Sequence, residues 1–235
     1  MTTGLLLCDH LDPDVVAVTG DYTDLYPAVF DPVGVDLRVY EVTAGELPDS
    51  VDECDGWIVS GSRRSAYEDE GWIDELSGFI RTAAEQRRPQ VGICFGHQLI
   101  ARSLGGEVRK ADVGWGVGAK EFEVVAAAPW MDPTADAFRI LMSHQDQVVA
   151  LPEGAEVLAR ADYCPVGAYR IDDHVFCVQG HPEFVPQLSR TLITKRRPAL
   201  GDQDADEGLA SLEQPVDHAL VTGWIARFLD LSPDR

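Results

Sequence analysis

The run Val91-Gly92-Ile93-Cys94-Phe95-Gly96-His97-Gln98-Leu99-Ile100 constrains this chain more than any other segment. A short apolar stretch stops at Gly-Ile-Cys-Phe-Gly, and helical spacing begins at once. That order predicts a strand, a tight turn and a helix, with one reactive side chain at the turn: a nucleophile elbow. The glycines two positions either side of Cys94 permit the turn and a close approach of neighbouring backbone. At a helix N-terminus, unpaired N–H groups and the macrodipole favour thiolate over thiol, and the thiolate is the nucleophile. A small buried cysteine ahead of a core helix fits the same ten residues. The flanking glycines leave the two readings balanced.

A second segment shifts that balance. Val175-Phe176-Cys177-Val178-Gln179-Gly180 reads as a buried strand running into His181-Pro182-Glu183-Phe184. In extended chain, residues i and i+2 point to the same side, so Glu183 can orient the His181 imidazole. Nucleophile, base and orienting carboxylate form the generalised triad. On its own, His-Pro-Glu also reads as a loop with a surface ion pair; downstream of a cysteine elbow the catalytic reading is favoured.

Together the two segments resemble the class I glutamine amidotransferase family. Gly92-Ile93-Cys94-Phe95-Gly96-His97-Gln98 is similar to that family's nucleophile signature, and Gln179-Gly180-His181-Pro182-Glu183-Phe184 to its His/Glu signature. Trp57-Ile58-Val59-Ser60-Gly61-Ser62, followed by Asp74-Glu75-Leu76, resembles the strand and glycine turn that supplies an oxyanion-hole amide. Ser143-His144-Gln145-Asp146-Gln147-Val148 resembles the His-x-Asp-x-Val element, and Gly114-Trp115-Gly116-Val117-Gly118 the segment after the elbow helix. The matches run from roughly residue 55 to 185. The resemblance is strongest to stand-alone proteins similar to the amidotransferase domain of GMP synthase. It implies a flavodoxin-like α/β fold: an open, mostly parallel sheet flanked by helices, with a small mixed or antiparallel extension.

The pattern along the chain agrees with that fold. Residues 4–8, 36–42 and 57–60 read as strands, 23–30 as a helix interrupted by Pro27. Residues 71–86 carry Trp72, Ile73, Leu76, Phe79, Ile80, Ala83 and Ala84 at helical spacing, the clearest amphipathic helix of the chain. Alternating strands and helices predict a parallel sheet with its site at the carboxyl ends of strands. Gly61, Cys94 and His181 each fall just after a predicted strand. Residues 120–125, 139–143, 156–161, 166–171 and 174–179 are successive short strands, hence the extension. Residues 186–196 read as a helix, 198–214 as a mobile acidic loop, and 215–229 as a final helix, all within a single domain spanning 1–235.

Composition narrows the function. Nineteen Lys+Arg against forty Asp+Glu leave a formal charge of −21. Such a surface repels nucleic-acid phosphates and anionic membranes, so neither is an expected partner. The five cysteines (Cys8, Cys54, Cys94, Cys164, Cys177) show no paired or zinc-type spacing. Free thiols, no signal-peptide pattern and no apolar run of about 20 residues point to the cytoplasm. The turn at 61–65 is no nucleotide-binding loop, and no metal or cofactor is expected.

The resemblance assigns roles. Cys94 would attack a γ-glutamyl carbonyl, with backbone N–H groups of Gly61 and Phe95 as oxyanion hole. His181 would act as acid and base, held by Glu183. Gln98, His144 and Asp146 are candidates for substrate contact, with a purely packing role for Gln98 equally open, while His97 is read as structural. The favoured activity is hydrolysis of a glutamine-type γ-glutamyl amide or peptide through a thioester. Two alternatives stand beside it: a glutaminase subunit feeding ammonia to a separate synthetase, and a catalytically silent binding protein on the same fold.

Overall fold

The computed structural model describes residues 2–230. The chain builds strands β1 (Thr2–Leu7), β2 (Asp36–Glu41), β3 (Gly56–Val59), β4 (Gln90–Ile93), β5 (Glu107–Lys110), β6 (Gly116–Val124), β7 (Ala137–His144), β8 (Asp146–Ala150), β9 (Ala155–Ala161), β10 (Cys164–Ile171) and β11 (Val175–Val178). Its helices are α1 (Pro13–Thr19), α2 (Tyr22–Phe30), α3 (Gly71–Glu85), α4 (Phe95–Ser103), α5 (Pro186–Leu200), α6 (Asp202–Ser211) and α7 (His218–Asp230). Nine strands form one sheet in the order β2-β1-β3-β4-β11-β10-β9-β6-β7. From β2 to β11 every pairing is parallel. From β11 to β7 every pairing is antiparallel. Strands β5 and β8 pair separately as a two-stranded ribbon.

Side-chain alternation explains why helices cover both faces. Leu5 and Leu7 of β1, Ile58 of β3, and Phe176 and Val178 of β11 enter one core. Leu6, Trp57, Val59, Val175 and Cys177, their neighbours in sequence, enter the other. Strands apolar on both sides need a helical layer on each. Ile73, Leu76 and Ile80 of α3 with Leu99 and Ile100 of α4 supply one layer. Tyr26 and Phe30 of α2, Leu188 of α5, and Trp224 and Phe228 of α7 supply the other.

The acidic stretch 198–214 departs from expectation. It is not a loop: α5 continues through Pro198 to Leu200, Gly201 turns the chain at φ +83°, and α6 follows. Arg197 pairs with Asp202 and Asp206 across the junction. Helix α6 docks on β6 through small residues. A Cβ on Gly118 would lie 2.5 Å from the Gly208 carbonyl oxygen, and the Ala119 N–H donates to Ser211 Oγ at 2.9 Å. Ala205 is fully buried there. Apolar bulk is the usual signal of a docked helix, and this one docks with almost none. Helix α1 and strands β5 and β8 likewise lie outside the elements expected from sequence.

The antiparallel extension curls back toward the parallel half. The His181 N–H donates to the Leu141 carbonyl of β7 at 2.9 Å, although β7 is the far edge of the sheet. Gly180 makes this approach possible, since a Cβ there would lie 2.4 Å from Ile140 Cγ2.

Candidate active site

Three neighbouring parallel strands end at one cavity. The turn after β3, the elbow after β4 and the loop after β11 converge there, as expected for an open α/β sheet. Cys94 caps the N-terminus of α4 with φ +54° and ψ −100°, a conformation that non-glycine residues rarely hold. It persists because backbone bonds on both sides fix it. The Cys94 N–H donates to the Val178 carbonyl at 3.0 Å, and the Gly96 N–H to the Ser60 carbonyl at 3.1 Å. The flanking glycines have distinct jobs. A Cβ on Gly96 would lie 2.1 Å from the Val59 carbonyl oxygen, and one on Gly92 would lie 2.7 Å from the His97 nitrogen. Both are required for α4 to seat against β3 and β4.

His181 Nδ1 lies 2.7 Å from Glu183 Oε1, and both side chains are buried. The imidazole stacks on the Phe184 ring with centroids 3.9 Å apart. Burial works against its charged form, but Cys94 and Glu183 outweigh burial and push the His181 pKa up to about 10. The ring is therefore an imidazolium near neutral pH, the protonation state needed to protonate a leaving amine. Gly61 faces the pair: a Cβ there would lie 2.9 Å from His181 Cε1 and 3.8 Å from Cys94 Cβ.

The Gly61 amide does not point where an oxyanion donor should. It donates to the Tyr26 hydroxyl at 3.2 Å, inside the core beneath α2. This corrects the expectation from sequence. The turn itself is firmly built, since Ser60 Oγ accepts from the Cys8 N–H and donates to the Gly61 carbonyl. Ser62, the next residue, lines the cavity. Phe95 occupies the first position of α4, where an N–H has no acceptor within the helix.

The remaining candidates divide. Gln98 lines the cavity, but its amide nitrogen donates to the Asp146 carbonyl at 2.7 Å and to Gln179 Oε1 at 3.1 Å. Both amide hydrogens are thus spent on tying α4 to β8 and to the loop after β11. His144 also lines the cavity, is buried, and has neither ring nitrogen hydrogen-bonded. Burial and the neighbouring His181 push its pKa down to about 3, so it is neutral. Asp146 lines the cavity with Oδ1 accepting from the Tyr67 hydroxyl at 3.0 Å. His97 is fully buried, edge-on to Tyr169, and remote from the cavity lining, in line with a structural role. Of the five thiols, Cys94 alone lines the cavity. Burial raises Cys8, Cys164 and Cys177 to about 12, and raises Cys54 as well. Among the described residues no cluster of side chains could hold a metal ion.

The model of the family described as glutamine amidotransferase class-I matches residues 21–197, which contain the elbow, the His181–Glu183 pair and the Gly61 turn. The chain belongs to this family. Among class I amidotransferase relatives, it is 33% identical over 177 residues to gamma-glutamyl peptidase 3 of Arabidopsis thaliana, covering 72% of this chain and 71% of that protein. It is 29% identical over 165 residues to a glutamine-hydrolyzing GMP synthase subunit of Archaeoglobus fulgidus, covering 70% and 84% respectively. The fold matches a glutamine amidotransferase from Thermotoga maritima with a TM-score of 0.75 at 18% identity, over 97% of this chain and 96% of that one. No described helix is long and apolar enough to cross a membrane.

Sequence reasoning does not single out Tyr26 or the arginine side chains around the cavity. Tyr26 lies 35 residues before Gly61, with no local signal to join them.

Proposed function

We propose that this chain hydrolyses γ-glutamyl amides or γ-glutamyl peptides through a thioester on Cys94. The observation that carries the reading is the His181–Glu183 contact beside a positive-φ cysteine at a helix N-terminus. The similarity to Arabidopsis gamma-glutamyl peptidases supports the same substrate class.

In this mechanism the Cys94 sulfur bonds to the γ-carbonyl carbon, and the carbonyl oxygen becomes an oxyanion. The Phe95 N–H is one donor to it. With the Gly61 amide held by Tyr26, the Ser62 N–H is the second. Removing a single such donor typically costs on the order of 10²–10³ in rate. His181 gives its proton to the departing amine as the C–N bond breaks, leaving a γ-glutamyl thioester. The now neutral imidazole takes a proton from water, the hydroxyl attacks the thioester, and glutamate leaves as sulfur returns to Cys94. Glu183 keeps the Nδ1 proton in place, so that Nε2 is the nitrogen that exchanges protons. A thiol nucleophile and five unpaired cysteines suit a reducing cytoplasm.

The test is glutamate release from glutamine and a panel of γ-glutamyl peptides by the purified chain, with Cys94→Ala as the blank. Release without a partner is the expected result. The similarity to a GMP synthase subunit favours a second reading, in which the chain is a glutaminase that delivers ammonia to a separate synthetase. Release only after a synthetase is added would replace the first reading with the second.

A further inference from the structure

Charged side chains around the cavity are mostly spoken for. Arg63 pairs with Asp9 and Asp12, and Lys195 with Asp12 and Asp14. Arg64 pairs with Glu68 and Glu70. Among the described residues, Arg196 and Asp146 are the two charged groups that line the cavity without an ion pair.

Both groups are nevertheless held in place. Arg196 Nη1 donates to Ser143 Oγ at 2.7 Å, a neutral acceptor that orients the guanidinium and leaves its charge uncompensated. A guanidinium has five N–H donors in a planar fork, so a carboxylate can still be gripped by two of them. Asp146 is steadied by the Tyr67 hydroxyl at one carboxylate oxygen and through its own carbonyl by Gln98. Each side chain is partly buried.

Strand β7 links Arg196 to the His181 loop. The Leu141 carbonyl receives the His181 N–H, and Ser143 lies two residues further along the same strand. Ser143 thus brings the Arg196 fork to the same cavity that Cys94 and His181 line. A γ-glutamyl group has its reacting carbonyl at one end and an α-carbon bearing both a carboxylate and an ammonium at the other. Resting on the γ-glutamyl reading above, we infer that Arg196 holds the substrate's α-carboxylate and Asp146 its α-ammonium. A ligand with only one of these charges leaves the other protein group desolvated and unpaired, which is costly. The pair thus selects γ-linked glutamyl groups, whose α-carboxylate is free, over ordinary α-linked peptides, whose α-carboxylate is consumed in the peptide bond.

The experiment is calorimetric titration of the full chain carrying Cys94→Ala, which binds without turnover. Four probes are used: γ-glutamylglycine, γ-aminobutyrylglycine (no α-carboxylate), glutarylglycine (no α-ammonium) and γ-glutamylglycinamide (no carboxylate on the leaving group). Arg196→Gln is expected to weaken γ-glutamylglycine and γ-glutamylglycinamide by about ten- to a hundredfold, the scale of charge-assisted hydrogen bonds. It should leave the weaker γ-aminobutyrylglycine unchanged. Asp146→Asn should spare glutarylglycine in the same way, and Arg196→Lys should fall between wild type and Arg196→Gln. Melting curves confirm that each variant is folded. Equal weakening of all four probes, or no measurable binding of γ-glutamylglycine at millimolar concentration, overturns the assignment. Loss confined to probes with a glycine carboxylate overturns it too, since Arg196 would then read the leaving group. The two proposals fail separately. Charge selectivity without any glutamate release by the Cys94 enzyme would remove the hydrolase and keep the clamp. Release unaffected in its selectivity by Arg196→Gln would do the reverse.

Discussion

Gly61, Cys94 and His181 all follow parallel strands, whereas Ser143 and His144 come from the antiparallel extension and Asp146 from the separate β5–β8 ribbon. The two halves of the sheet meet at one cavity and bring different things to it. On the parallel side, adjacent strand ends lie about 5 Å apart, and main-chain bonds from Val178 and Ser60 lock the elbow between them. Groups far apart in sequence are therefore brought to one cavity by the backbone. On the antiparallel side the groups are oriented but not mutually satisfied. His144 has two unbonded ring nitrogens, and Arg196 reaches only a serine of β7. The proposed chemistry falls where the backbone is most constrained, and the proposed recognition where side chains still lack partners.

The largest effect that sharpens this contrast is at the elbow. Cys94→Ala should abolish turnover while leaving the melting temperature within a few degrees. His181→Ala should lose nearly as much. Glu183→Gln should be milder, because it disturbs the orientation of a base that is still present; triad losses do not add. Steady-state rates and melting curves of the three variants measure it. Full activity in Cys94→Ala would erase the distinction between the halves.

The opposite substitution lies in α7, which packs on the extension. Trp224 of α7 packs edge-on to Phe138 of β7 at 5.6 Å, and its Nε1 donates to the Pro133 carbonyl at 2.9 Å. Trp224→Ala should cost about 3–5 kcal/mol of stability. Below the new melting temperature, kcat should stay within about twofold of wild type. A large fall in kcat with an unchanged melting curve would show that the extension takes part in chemistry as well as recognition.

Thiol reactivity discriminates more finely. Limited alkylation near neutral pH with peptide mapping should label Cys94 first, since the other four are buried with raised pKa values and do not line the cavity. Inert Cys94 beside a labelled Cys8 or Cys177 would remove the nucleophile assignment.

The smallest effect is protonic. Against the pull of burial, Cys94 and Glu183 hold His181 near 10, above its ordinary value of 6.5. The folded state therefore retains a proton that the unfolded state releases above pH 6.5. The resulting stability is complete below 6.5, and it declines as pH rises until it is gone above about 10. Nuclear magnetic resonance titration should find the His181 ring charged at pH 8, with its pKa lowered in Cys94→Ala. An unchanged ring pKa in that variant would mean that the thiol and imidazole do not interact.

What the sequence revealed follows from how local each signal is. The elbow was legible because Gly92 and Gly96 flank Cys94 within one turn of chain. The His181–Glu183 contact was legible because alternation along two residues suffices. The direction of the Gly61 amide was not, since it is fixed by a tyrosine on α2. Helix α6 was hidden for another reason: Ala205 and Gly208 dock it by being small, and composition alone makes such a stretch look like an acidic loop. Arg196 stands out among the cations lining the cavity only by lacking an ion pair, which becomes visible once Arg63, Arg64 and Lys195 have found their partners.

In the proposed reaction Cys94 carries the γ-glutamyl group. Wild-type protein turning over a γ-glutamyl peptide is quenched in acid within the first turnover, digested, and mapped by mass spectrometry. A γ-glutamyl adduct on the Cys94 peptide that disappears as substrate is exhausted is the expected result. Glutamate release with Cys94 unmodified at every time point would contradict it.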